Sequence, residues 1–571
     1  MSQQNLGDHE LIKSLVAQIN SEQRWSDQTL EVRLAIKKLL EQDLTNADLS
    51  FVNFTGADLS CAKFTGANLS RANFTNANLW GANFTNADLS RANFTTAAII
   101  GANFNGANLN SANFTNADLS FATLANVDLT NANFFIANLV EVMSGGITGT
   151  PAALPSGWQL INGYLVGRDA HLKNANFTNA NLDNTDLANT DLTGVTSGGI
   201  TGTPAALPSG WQLINGYLVG PGADLRGADL DNTELTEIDL TGVSSGEVSG
   251  MPAALPSGWQ LINGYLVGPG ADLRGAIFIN ANLRNLNLAN ANLMGANFVD
   301  TDLGNTDLTN TDLTYVRSEG ITGTPAALPS GWQLINGYLV GPIADLHHAN
   351  LKGANFDGVD LKWTNLKGAN LEGANLANVH SEGAFFSEAN LINAILEGAN
   401  LEGANLSNVQ FQGANLESAN LDGATLEGAN LSRANLNGAY LDDVDFTRAN
   451  LTNAEIKNAY LRAVNLANAN LQGANLSRSD LTGANLDGAN FDNANLSNAD
   501  LTRANIHRVD LHNADLYNAN LESAVLTNSD LTNAILGHVN LTAVTSSGII
   551  GTPITLPSGW QLVSGVFTTS P

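Results

Sequence analysis

The chain has one cysteine, Cys61, in 571 residues. That excludes an intramolecular disulfide framework and any zinc centre built from several cysteines. Charge is sparse too. Asp, Glu, Lys and Arg make up 13% of the chain, and 24 Lys and Arg against 53 Asp and Glu leave a formal net charge of −29. A surface that holds nucleic acid needs basic side chains against the phosphates, so direct nucleic-acid binding is not expected, whereas a basic partner is permitted. No apolar run approaches the ~20 residues that span a bilayer, so no membrane partner is expected. The opening MSQQNLGDHELIKSLVAQI lacks the basic and then apolar stretches of a secretory signal, and the expectation is a cytoplasmic protein. Neither phosphate-cradling glycine motif occurs. His347, His348, His507 and His512 do not recur at the repeat spacing described below, so no column of metal ligands forms. The chain is therefore expected to be no enzyme, with no catalytic residue, cofactor or metal.

What the sequence does have is a period. From Leu346 through Leu351, Phe356 and Leu361 to Leu541, every fifth residue is aliphatic or aromatic, with Ser381 the exception. Typical units run Ala369 to Gly373 (ANLEG) and Ala514 to Asn518 (ADLYN): a small residue two before the centre, Asn or Asp one before, a polar pair after. A period of five matches neither the helix nor the flat strand. It suits a short extended run that turns a corner and repeats.

At these residues the chain resembles the pentapeptide-repeat family, with its A(D/N)LXX consensus. The resemblance implies an all-β solenoid, a right-handed quadrilateral parallel β-helix with four pentapeptides per coil and the centre and preceding Ala pointing inward. Ala is small enough for the inner site beside a corner, and Asn and Gly tolerate turn conformations. One coil cannot bury its apolar face alone, so stability comes from stacking.

Residues 1–41 differ in kind. Leu11, Leu15, Ile19, Leu30 and Leu34 recur at helical spacing, which predicts a short α-helical cap. Repeats fill 42–143 and, in one long segment, 346–545. Between them, 144–345 holds short repeat segments separated by four copies of one module, at 144–167, 197–220, 245–268 and 318–341, and a fifth, cap-like copy occupies 546–571. Each internal copy reads WQLI-NG-YLV, two apolar runs about the Asn-Gly pair preferred in a type I′ turn, which predicts β-hairpins. The modules break the five-residue register, so the sequence leaves open whether the coil winds through them. On one common axis the repeats would form a rod of about 95 Å.

Residues twenty apart should lie above one another. Phe54, Phe74, Phe94 and Phe114, and Phe64, Phe84 and Phe104, should then form two facing ladders. Along Asp48, Asn68, Asp88, Asn108 and Asp128 no Asp sits on Asp. The long segment departs from that rule: in one outward column Tyr440 precedes Tyr460, then Asp480 precedes Asp500, and elsewhere Asp510 precedes Asp530. Stacked carboxylates raise one another's pKa or recruit a cation unless Arg478, Arg503 and Arg508 screen them. Tyr440, Tyr460, Asp480 and Asp500 are candidate partner-binding residues, as are the module tryptophans Trp158, Trp211, Trp259 and Trp332, which otherwise pack on the coil. His380 beside Ser381, with Phe385 pointing outward, invites a hydrolase reading, but no acid completes a triad and a β-helical wall offers no pocket. The function expected is a non-enzymatic scaffold, a rigid acidic rod presenting a surface to a protein partner, with self-association through rod ends or hairpins permitted. The resemblance implies an alternative, because some family members resemble B-DNA and inhibit DNA gyrase.

Overall fold

The structure, a computed structural model, describes residues 14–15 and 44–570. It divides into two compact units, Met1–Asp272 and Leu273–Pro571, and each is described by itself. The helical cap expected over residues 1–41 lies outside the described residues apart from Ser14 and Leu15.

Both units are built from the same coil. Parallel bridges join residues twenty apart, from Asp48 with Asn68 in the first unit to Asn520 with Asn540 in the second, and four such bridged walls make one turn of chain. The pentapeptide dictates this geometry position by position. The centre and the Ala two before it face inward, as at Leu89 and Ala87, both essentially inaccessible to solvent. The residue between them faces out, and its side chain folds back on its own corner: Asn68 Oδ1 accepts from Ser70 N–H at 3.1 Å. The corner residue two after the centre takes a left-handed conformation, φ 57° at Asn76 and 66° at Gly66, which Asn and Gly reach at low cost. Main-chain bonds then tie coil to coil, Leu49 N–H to Asn68 C=O at 2.7 Å and Asn68 N–H to Ala47 C=O at 2.9 Å.

The core of the first unit carries the two phenylalanine ladders. Within one, Phe74, Phe94 and Phe114 stack at 4.7 and 4.8 Å with planes within 3°. The facing ladder meets it edge-on, Phe94 to Phe104 at 6.0 Å and 88°. Rings from Phe74 to Phe114 thus stack along the axis and make edge-to-face contact across it, both favourable arrangements of aromatic quadrupoles. Outside, the Asp/Asn alternation has a direct reason. An Asn amide donates down one coil to the carboxylate beneath, Asn68 Nδ2 to Asp48 Oδ1 at 2.9 Å and Asn108 Nδ2 to Asp88 Oδ1 at 3.0 Å. A second Asp in place of that Asn would have nothing to donate.

The structure settles how the modules join the coil. Met143 bridges His171, Thr196 bridges Asp224 and Ser244 bridges Asp272 in the first unit, and Arg317 bridges Asp345 in the second. In each the step is twenty-eight residues rather than twenty, so the coil winds through and one side bulges by eight. The bulge is a hairpin, Gln159–Ile161 with Tyr164–Val166 in the first copy, antiparallel with Leu160 opposite Leu165. Its turn residues Asn162 and Gly163 have φ 48° and 80°, the two positive values a type I′ turn needs. A serine opening each module holds the hairpin down. Ser144 Oγ accepts from Leu165 N–H at 2.9 Å, and Ser197, Ser245, Ser318 and Ser546 do the same for Leu218, Leu266, Leu339 and Phe567 at 2.8 to 3.0 Å.

Candidate interaction surfaces

The four module tryptophans are largely withdrawn from solvent, which differs from the exposure expected from their composition. Trp211, Trp259 and Trp332 are 8, 8 and 9% exposed, and Trp158 is partly buried against the core. Each indole lies against the glycine that ends its hairpin. A Cβ added at Gly167, Gly220, Gly268 or Gly341 would come within 2.3 to 2.5 Å of the ring. The tryptophans plug the eight-residue bulge, and glycine makes room for them.

Tyr440 and Tyr460 do project outward. Their rings stack at 5.1 Å and 8°, and both are close to half exposed. Asp480 bridges Tyr460 and Asp500 bridges Asp480, so the four residues occupy successive rungs of one wall. Below them Asn420 donates to Asn400 Oδ1 at 3.2 Å, and above them Asn520 donates to Asp500 Oδ1 at 3.2 Å. From Tyr440 to Asp500 the amide ladder is interrupted. Asp480 and Asp500 each accept locally, from Thr482 N–H and from Thr502 N–H and Oγ1. Among the described residues neither forms an ion pair, and Arg508 instead grips Asp487 at 2.7 Å, holding that carboxyl below its usual range. The expected screening of this pair by arginine is therefore not supplied by Arg508.

Along the same wall, one residue after each centre, runs a second column that sequence reading did not single out: Lys362, Glu382, Glu402, Asp422, Asp442, Arg462. Lys362 pairs with Glu382 at 3.4 Å, and Arg462 grips Asp442 Oδ2 through two nitrogens at 2.9 and 2.5 Å. Cations thus close both ends, while Glu402 and Asp422 lie between. Partial burial raises the Asp422 carboxyl above its usual range, the Asp442 and Glu402 carboxylates add to the rise, and the Asp442 N–H opposes it. The twenty-residue spacing was the available signal for this column.

His380 and Ser381 cannot act together. Neighbours along an extended wall face opposite sides: His380 is exposed, while the Ser381 side chain is fully buried with its hydroxyl unpartnered. Phe385 does point outward. Contrary to the expectation of a featureless wall, it helps line an open groove of about 410 Å³ with Tyr315, Asp345, Trp363 and Lys367. Among the described residues no three His, Cys, Asp or Glu are placed to hold a metal ion, and no helix is long and apolar enough to cross a membrane.

The family profile described as pentapeptide repeats (8 copies) matches between residues 41 and 134, 168 and 196, 221 and 244, 269 and 314, and 344 and 542, skipping the hairpin bulges. The chain belongs to the pentapeptide-repeat family. Among solved structures this pentapeptide-repeat chain is similar to HetL, a pentapeptide repeat protein involved in heterocyst differentiation regulation in the cyanobacterium Nostoc, at 29% identity over 36% of this chain and 92% of HetL, with a TM-score of 0.25. It is similar to Rfr23 of the cyanobacterium Cyanothece at 28% identity over 23% of this chain and 91% of Rfr23, TM-score 0.13. A third similarity is to QnrB1, a plasmid-mediated fluoroquinolone resistance protein, at 24% identity over 27% of this chain and 83% of that one, TM-score 0.20. A comparison with curated proteins gives no match. At these TM-scores the neighbours carry no functional argument, which must come from the chain's own surfaces.

Proposed function

We propose that this pentapeptide-repeat protein is a non-enzymatic scaffold that binds a protein partner through the wall formed by Tyr440, Tyr460, Asp480 and Asp500. The observation that carries the reading is the interrupted ladder. Asn at these rungs would extend the amide hydrogen bonds above and below, each contributing about 0.5–1.5 kcal/mol. The chain instead exposes two stacked phenols beside two half-buried carboxylates. Tyrosine is among the residues that dominate interface energetics, and the adjoining carboxylates and the net charge of −29 favour a basic partner.

The test compares affinity capture by the full-length protein with capture by a variant carrying Tyr440→Asn, Tyr460→Asn, Asp480→Asn and Asp500→Asn. These substitutions complete the ladder, so the variant should be at least as stable. A partner held by the unaltered protein and lost by the variant supports the reading. Equal retention by both contradicts it.

The acidic column from Glu382 to Asp442 favours one second reading, a mimic of duplex DNA that binds gyrase or a topoisomerase, because it repeats negative charge at the coil spacing. Supercoiling inhibition that weakens as salt rises would support this reading. No inhibition at saturating protein would remove it.

A further inference from the structure

One corner of the second unit breaks its own rule. The corner residues follow one another as Gly275, Gly295, Tyr315, Ile343, Trp363, Gly383, Gly403 and Gly423, each main-chain N–H bonding to the residue just before the next corner except Tyr315, whose N–H bonds to the carbonyl of Ile343 itself. All eight have φ between 57° and 70°, with Tyr315, Ile343 and Trp363 at 58°, 60° and 57° in the same left-handed region as the glycines. Glycine is the inexpensive occupant, and five of the eight positions use it. Tyr, β-branched Ile and Trp each cost about 1–2 kcal/mol there. Other corners of this unit also carry residues other than Gly or Asn, Ser418 and Arg433 among them, so what distinguishes this one is the pair of large aromatic rings it holds.

What the strain places is a line of aromatic surface. Tyr315 is 62% exposed and Trp363 59%, two coil steps apart, about 9.5 Å along the axis. The indole of Trp363 lies over Gly383, where an added Cβ would meet Cζ3 at 2.5 Å, so the glycine makes room for the ring. Exposed Phe385 adds a third ring on the neighbouring wall, on the rung after Asp345 and Asn365, and Lys367 and Ser387 complete the polar lining of the groove. The charges there are locally compensated. His347 Nδ1 lies 2.7 Å from Asp345 Oδ1, and Lys367 Nζ lies 3.6 Å from Glu388. Asp345 also accepts from Asn365 through Oδ1, which leaves Oδ2 and the Ser387 hydroxyl with hydrogen-bonding capacity for a ligand.

We propose that this groove binds an uncharged oligosaccharide. Its C–H faces would stack on Trp363 and Tyr315, and its hydroxyls would bond to Asp345 and Ser387. The charge balance selects this ligand. A chain of −29 repels anions, and a cation would find stronger attraction at the Glu402–Asp422 column than beside Lys367. Polar groups between the rings suit a polyhydroxylated chain better than an apolar protein segment, which would leave them unpaired. An open groove also admits an extended ligand that a closed cavity would exclude. This site shares no residue with the wall proposed for the protein partner, so each stands or falls alone.

The test is titration of full-length protein with cellohexaose, maltohexaose and chitohexaose, followed by calorimetry and tryptophan fluorescence. Binding of at least one at millimolar concentration or better is expected, with Trp363→Gly and Tyr315→Gly each weakening it about tenfold. Both variants restore the glycine corner and should fold at least as stably, so lost binding would not report unfolding. Absence of binding to all three, or binding that both variants keep, overturns the proposal. Displacement of a bound protein from the groove without any saccharide binding would likewise overturn it in favour of a protein ligand.

Discussion

Residues in this protein are best judged against their column, because the repeat supplies the control. Where Thr or Ser replaces the inward Ala, its hydroxyl bonds to a carbonyl, as Thr185 does to Leu182 at 2.7 Å and Ser529 to Ile506 at 2.6 Å. Ser381, at a centre, finds no such partner. Ser381→Leu should therefore stabilise its coil by about 1–3 kcal/mol, from apolar volume gained and an unpaired hydroxyl removed. Slower amide exchange over residues 361–401 would show it; faster exchange would mean the wall has already closed around serine. Asp422 offers a pH test. Its folded pKa is raised, so its carboxyl costs nothing below the ordinary carboxylate range, and stability is lost as pH rises through the raised value. Asp422→Asn keeps an acceptor for the Asp442 N–H. It should protect the surrounding coils relative to the unaltered protein at neutral pH and make no difference in acid, as read by proteolytic susceptibility at the two pH values. Equal protection at both would contradict the assignment.

At the scale of elements, the hairpin modules separate what the sequence made legible from what it hid. The Asn-Gly pair announced the turn, and the five-residue period announced both phenylalanine ladders and the Tyr440–Asp500 column, because those arguments need only a constant step of twenty. The tryptophans were harder. Composition marks an exposed aromatic and a plug alike, and only the packing of Trp211 on Gly220 tells them apart. The corner of Tyr315, Ile343 and Trp363 could not be assembled from sequence, since Tyr315 and Ile343 become neighbours only when the coil through the fourth module is known to take twenty-eight residues. The serine clamp gives this element its own prediction. Ser197→Ala leaves the buried N–H of Leu218 unpaired and should cost about 1–3 kcal/mol locally. Exchange at Leu218 should accelerate while exchange at Leu89, several coils away, stays unchanged, because repeat stacks couple chiefly to their neighbours.

For the whole molecule, almost every described residue serves the coil, and the proposal is that the few that break its rules on the outside are there for a partner. Tyr440 and Tyr460 are the clearest case, since Asn at either would serve the coil better. The most direct measurement places a photo-crosslinking phenylalanine at position 440 of the full-length protein, with a control at Asn430, an intact rung of a different wall, and irradiates both in cell extract. A discrete protein adduct is expected from position 440 that disappears when Tyr460→Asn and Asp480→Asn are added, and none from position 430. The same adducts from both positions, or an adduct indifferent to those substitutions, would contradict it.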